Sequence, residues 1–453
     1  MKKLSMEVVN PKAAGIDIGS RFHMVAVNQN VDDVKEFGVY TEEHEAMIIW
    51  LKENSITTIA MESTGSYWQT LFSALQRAGF EVILVNGQHT KNLKGRKTDV
   101  QDCMWIQKLH SLGLLNGSCL PGEYVERLRT YYNHRQHLIE HCSKYVNKMQ
   151  KALRLMNIRL DVVLNDITGK SGRAILDAIL SGEREPMVLA SLANIWVKKS
   201  KEEIAKSLHG NWREDLMFEL QECLSLYDIY CEKLAFCDKE FDKVLQSVKS
   251  IDMRLPIAVP SGRVVRDRSK HAPVFNVREL AYMHLGVDLF DIKGVSHNTV
   301  LCVMSNMSRE EIKKFPTVKN FTSWLRLAPN NKKTGGKIIS SRTPKGKNQI
   351  ALALRQAANS IGNQKDHPLT HFFKRIAYKK GRVAAITATA RKLAVIIYHM
   401  ITKQQAYQPI NSEEIITRIK KHQISNIKQR LNKLNLLPDE LNDIVRSVSL
   451  SAN

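Results

Sequence analysis

The chain has no run of eighteen apolar residues, so a membrane-spanning helix is not expected, and its first residues carry no apolar core of a secretory signal. It also has no Cys-x-x-Cys pair and no histidine cluster at zinc-site spacing. Its seven cysteines (Cys103, Cys119, Cys142, Cys223, Cys231, Cys237 and Cys302) are odd in number, and several fall on apolar helical stripes. All seven are therefore expected to be reduced structural residues of a cytoplasmic protein. Internal repeats and low-complexity tracts are absent. Acidic residues are in short supply: 45 Asp and Glu stand against 67 Lys and Arg, a formal net charge of +22. That excess calls for a polyanionic partner, and with no membrane segment in view the expected partner is nucleic acid. A chain of 453 residues is too long for one core, so two or three domains are expected.

Residues 1–120 read as an α/β domain. Strands are expected over Ala13 to Ile18, Phe22 to Val27, Glu36 to Tyr40, Ile56 to Met61 and Phe80 to Val85. Helices are expected from Thr41 to about Glu53, with Met47, Ile48 and Leu51 inward, and through Trp68, Leu71 and Leu75. Thr98 followed by Gln101 is a capping-box pattern, which puts Asp99 and Asp102 in the first turn of a further helix and on one face. Taken alone, that pattern is an ordinary well-capped helix start.

Asp17, however, lies inside the first strand, where a charge is rarely buried without a partner, and Glu62 ends the fourth. If those two strands are neighbours, Asp17, Glu62, Asp99 and Asp102 converge on one sheet edge. Four carboxylates stay ionised together only around cations, and oxygen ligands suit Mg²⁺ or Mn²⁺. Upstream of the capped helix, Lys91, Lys94, Arg96 and Lys97 read either as a solvated charge run or as phosphate contacts. His23 reads as structural.

Residues 121–250 read as a helical arm. Leu138, Cys142, Tyr145, Met149, Ala152 and Met156 recur near heptad spacing, and Leu220, Tyr227, Leu234, Phe241 and Val248 keep it for a longer run. Such helices pair antiparallel within the chain or zip against a second subunit. Residues 251–285 form a basic linker, with Arg254, Arg263, Arg266, Arg268 and Lys270. In residues 286–408, Ile292-Lys293-Gly294-Val295-Ser296 before an apolar helix resembles a helix-hairpin-helix turn. A basic, glycine-rich loop follows: Lys332, Lys333, Thr334, Gly335, Gly336 and Lys337, then Ser340, Ser341, Arg342, Lys345 and Lys347. As a surface element it is suited to phosphate. Apolar helices start near Ile350, Pro368 and Val383, and a basic helical tail spans 409–453.

Gly15-Ile16-Asp17-Ile18-Gly19, Met61-Glu62-Ser63-Thr64-Gly65 and Lys97-Thr98-Asp99-Val100-Gln101-Asp102 together resemble the three signatures of the DEDD transposases of bacterial insertion sequences, relatives of the Piv-type DNA invertases. The first motif alone also opens sugar kinases and actin-like ATPases, whose second phosphate loop has only the poor candidate Asp291-Ile292-Lys293-Gly294 here. A P-loop ending at Gly169-Lys170-Ser171 fails because Leu164 stands where its first glycine belongs. The three signatures in order are the specific signal, and the resemblance runs from about residue 10 to 405.

That resemblance implies an RNase H-like (RuvC-like) N-terminal domain, a coiled-coil arm and a mostly α C-terminal transposase domain. It implies Mg²⁺ on Asp17, Glu62, Asp99 and Asp102, and Thr334 where the family's Ser-Gly-Gly-Lys loop carries its nucleophilic serine. The expected activity is recombination of donor and target double-stranded DNA, guided by a structured bridge RNA, in a homodimer or homotetramer of a bacterial, nucleoid-associated cytoplasmic protein. A metal-dependent nuclease of the Holliday-junction resolvase kind and a domesticated, non-cleaving RNA- or DNA-binding protein are the alternatives.

Overall fold

The computed structural model describes residues 7–63, 65–85, 87, 98–118, 120–247, 270–365 and 367–408, with scattered positions between 417 and 432. Lys91, Lys94, Arg96, Lys97, the linker arginines and most of the basic tail lie outside the described residues. The chain divides into two compact units, Met1–Leu120 and Pro121–Asn453.

The first unit is built on one mixed sheet in the order β3-β2-β1-β4-β5. Its strands are β1 (Ala13–Ile18), β2 (Phe22–Ala26), β3 (Lys35–Gly38), β4 (Thr58–Glu62) and β5 (Glu81–Val85). β1 pairs antiparallel with β2 and parallel with β4, so the expected neighbours are neighbours. The third strand sits earlier than Glu36 to Tyr40, because its pairing ends at Phe22↔Gly38 and Tyr40 is already the extended N-cap of α1 (Thr41–Glu53). Strand alternation sorts β1 cleanly. Ala14, Ile16 and Ile18 join Ile59 and Met61 in a core with Met47 and Leu51 of α1 and with Leu71 and Leu75 of α2 (Trp68–Arg77).

The opposite face carries α3 (Asp99–Ser111). Thr98 caps it, its hydroxyl accepting from the Gln101 amide at 3.3 Å, which is the threonine half of the expected capping box. Gln107 donates to the Ala13 carbonyl at 3.1 Å, and Thr58 meets His110 Nε2 at 2.9 Å. His23 lies within β2, buried, with its ring tilted against that of His44 at 5.6 Å between centroids, a structural place. Burial first, and His44 second, hold its imidazole down to about 4.

In the second unit, α4 (Glu123–Leu155) and α5 (Glu214–Ser247) pack against each other within the chain. They run antiparallel: Tyr131 stacks on Phe241, Arg135 pairs with Asp238, and Tyr145 stacks on Tyr230. The apolar seam expected from heptad spacing is thus interrupted by a buried ion pair. Shorter helices between the two, including Lys170–Leu180, close one end with a core of Met149, Ile175, Leu176 and Leu220.

Beyond Lys270 come α6 (Val277–Leu285) and α7 (His297–Asn306). Gly294 turns the chain between them at φ +90° against Ile361, where a Cβ would meet Ile361 Cγ1 at 2.5 Å. Ser296 caps α7, and the Lys293 carbonyl accepts from His367 Nε2 at 2.6 Å. The bundle is completed by α8 (Gln349–Asn363), α9 (Thr370–Lys380) and α10 (Arg382–Lys403). Among the described residues α10 alone is long and apolar enough to cross a membrane, but half of its apolar window is buried against the other helices.

A carboxylate cluster as the candidate active site

β1 and β4 run parallel, with Ile16 opposite Met61, so Asp17 and Glu62 each come one residue later on adjacent strands. Both lie on the face away from the α1–α2 core: Asp17 follows the alternation of Gly15, and Glu62 that of Thr58 and Ala60. This is the face that α3 covers, and it covers it because Gly15 has no side chain. A Cβ there would stand 2.2 Å from the Gln107 amide nitrogen and 2.4 Å from the Cys103 carbonyl oxygen. The first turn of α3 is thereby brought to the carboxyl end of β1, carrying Asp99 and Asp102.

The electrostatics record the convergence. The Asp17 carboxyl is raised from 3.8 to about 6, first by burial and then by Asp102, Glu62 and Asp99 in that order. Cys103, beside them on α3, is pushed up to about 12 by burial and by Asp17. Burial and three like charges around one carboxyl are what a cation would relieve. The donor set is all oxygen, which fits Mg²⁺ or Mn²⁺ and not a thiol-seeking ion. Gly87 leaves room at the cluster: a Cβ on it would fall 2.1 Å from Glu62 Oε1. Neither Gly87 nor the Gly15–Gln107 contact was legible from sequence, since each matters only through a neighbour far along the chain.

Thr334 lies in the second unit. Lys332–Thr334 (β6) and Lys337–Ser340 (β7) form a two-stranded hairpin, with Thr334 paired to Lys337. Gly335 and Gly336 have φ of +53° and +75°, the left-handed pair that a two-residue type I′ turn needs. The expected loop is therefore a β-hairpin. Lys332, Lys333, Thr334 and Lys337 are all exposed, as are Arg342, Lys345 and Lys347 after it. Ser341 is exposed too, while Ser340 is half-buried and accepts from the Arg342 amide at 3.4 Å.

A mixed five-stranded sheet with acidic residues at the ends of its central parallel strands, followed by a mostly helical region, is consistent with an RNase H-like enzyme of DNA. Residues 14–158 match the IS110 DEDD family model, described as Transposase, and residues 288–373 match the model described as Transposase IS116/IS110/IS902 family. Together the matches span about half of the chain, at both ends of the described fold, and the chain belongs to the IS110 family of DEDD transposases. No curated protein matches it. Membership brings DNA as substrate and cleavage with rejoining as the class of activity.

Proposed function

We propose that this transposase recombines DNA through Asp17, Glu62, Asp99 and Asp102, which hold one or two Mg²⁺ (or Mn²⁺) ions, and the Thr334 hydroxyl, which is the nucleophile. The observation that carries the reading is Asp17, held up to about 6 by burial and by three other carboxylates at the ends of β1 and β4 and the start of α3. When bound, the ions would neutralise charge on the scissile phosphate and stabilise the attacking and leaving oxygens.

The chain's own residues do the rest. The Thr334 Oγ–P bond forms as the P–O3′ bond breaks, the threonine proton passes to a base, and the leaving 3′ oxygen takes up a proton. The 5′-phosphothreonine so formed keeps the bond energy, and attack by a new 3′ hydroxyl reverses the step without ATP. Lys332, Lys333 and Lys337 offset the charge that develops, and the Gly335-Gly336 turn presents the hydroxyl at a hairpin tip. The threonine methyl stiffens χ1 and slows attack relative to serine.

Within this reading, residues 1–120 are the RuvC-like catalytic domain, 121–250 a coiled-coil arm and 251–285 a basic linker whose last residues, Val277–Leu285, form the packed helix α6. Residues 286–408 are the transposase domain carrying the nucleophile, and 409–453 a basic tail. Lys91, Lys94, Arg96, Lys97, Arg342, Lys345 and Lys347 contact phosphates. A structured bridge RNA selects donor and target, and a homodimer or homotetramer at the bacterial nucleoid assembles the two halves of the site. The net charge of +22 supports both nucleic-acid partners.

Glu62→Gln and Asp99→Asn are expected to abolish strand cleavage in Mg²⁺ while leaving DNA binding within a few-fold of wild type. Recombination at a near wild-type rate in either variant would remove the cluster from the chemistry. Sequencing of copurified RNA tests the guide: one enriched structured species is expected, and a random cellular mixture would contradict it.

A further inference from the structure

Cysteines that sequence spacing reads as ordinary core residues come together in the second unit. Cys142 on α4 and Cys231 on α5 face each other across the antiparallel pair, with sulfurs 3.9 Å apart. His271, six residues before α6, completes a trio whose ligand atoms all lie within 4.8 Å of one another. The residues are 89 and 40 positions apart in sequence, so no motif announces them.

The histidine is brought there by a built support. Arg135, buried on α4, donates to Asp238 on α5 at 2.6 Å and to the His271 carbonyl, also at 2.6 Å. The neighbouring Lys270 is taken up by Asp166 at 3.1 Å, with its ammonium over the Tyr227 ring. Two helices and the segment that leads into α6 therefore meet at one point, contributing two thiols and one imidazole.

We propose that Cys142, Cys231 and His271 form a binding site for a thiol-seeking tetrahedral cation of the zinc class, which staples the two long helices to the segment that follows them. Two sulfurs at about 2.3 Å from one tetrahedral zinc stand roughly 3.8 Å apart, close to the separation seen here. A disulfide needs its sulfurs at about 2.05 Å, so the pair as it stands is two thiols in contact, at a separation that a shared ion also allows. Binding releases the two thiol protons to solvent and forms two S–metal bonds and one N–metal bond, with water in the fourth position. The carboxylate cluster, all oxygen, takes a different class of ion and lies in the other unit.

The test is titration of reduced, metal-free full-length protein with Co²⁺ under anaerobic conditions and excess Mg²⁺. One equivalent is expected to give thiolate-to-cobalt charge-transfer absorption, which an oxygen-ligated ion does not produce. Zn²⁺ is expected to bleach it stoichiometrically and to raise the Tm of the second unit by several degrees. The absorption should fall by about half in Cys231→Ser, weaken at equal Co²⁺ in His271→Ala and stay whole in Cys223→Ser. Wild-type protein without the charge-transfer band overturns the site whatever the variants do. So does a band that survives intact in the Cys142→Ser, Cys231→Ser double variant.

Discussion

Gly15 of β1 and Gln107 of α3 touch backbone to backbone, with a Cβ on the glycine falling 2.2 Å from the Gln107 amide nitrogen. The Gln107 side chain reaches on to the Ala13 carbonyl at 3.1 Å and accepts from Gln29 at 2.6 Å. The helix that carries Asp99 and Asp102 is thus set on the strand that carries Asp17 by contacts with no slack for a side chain.

Gly15→Ala is therefore expected to push α3 off the sheet, at a cost of roughly 1–3 kcal/mol. Because the shift moves two of the four carboxylates, cleavage should fall further than the fraction of folded protein does. Thermal denaturation together with cleavage rate checks it. A variant with wild-type Tm and wild-type rate would mean the contact positions nothing.

Asp17 gives a pH dependence of definite sign. Its folded-state value of about 6 lies above the ordinary 3.8, so between those values the folded protein holds a proton that the unfolded chain has lost. Its contribution is most favourable below about pH 4 and is lost as pH rises through 6. In metal-free protein, Asp17→Asn should stabilise the first unit at pH 7 by on the order of 1–2 kcal/mol, after discounting for partial exposure. The gain should vanish near pH 4, and saturating Mg²⁺ should raise the Tm of wild type but not of the variant. Parallel pH profiles would contradict the electrostatic account.

Much of this is legible in the sequence, for reasons tied to local chemistry. β1, α1 and the start of α3 fell within their expected bounds because alternation, an extended pre-helix residue and a threonine cap are local signals. Asp17 and Glu62 stood out because a carboxylate in or at the end of an apolar strand needs a reason. The hairpin at Thr334 read as a loop because β6 and β7 are short and exposed on both faces, with Ile338 and Ile339 at 57% and 70% exposure. The buried Arg135–Asp238 pair was hidden among heptad positions, 103 residues apart.

That pair supplies a stability prediction. Both side chains are nearly inaccessible, at 2% and 3%, so Asp238→Ala strands a buried guanidinium and should cost about 3–5 kcal/mol. Replacing both partners, Arg135→Met with Asp238→Leu, should restore part of the loss, the His271 carbonyl losing its Arg135 donor. Urea denaturation of the three proteins decides it: equal destabilisation in single and double variants would mean the charge pair is not what the helix packing depends on.

The central claim is that Thr334 and the carboxylates act in one reaction, and the direct test is to map the protein–DNA link. Donor DNA is incubated with protein and Mg²⁺, quenched in denaturant and digested, and the DNA-bearing peptide is sequenced by mass spectrometry. The account predicts a 5′-phosphate on Thr334, formed as fast or faster in Thr334→Ser and absent in Thr334→Ala and Asp99→Asn. A link at Ser340 or Ser341, or DNA cut in Mg²⁺ with no protein attached, would contradict it.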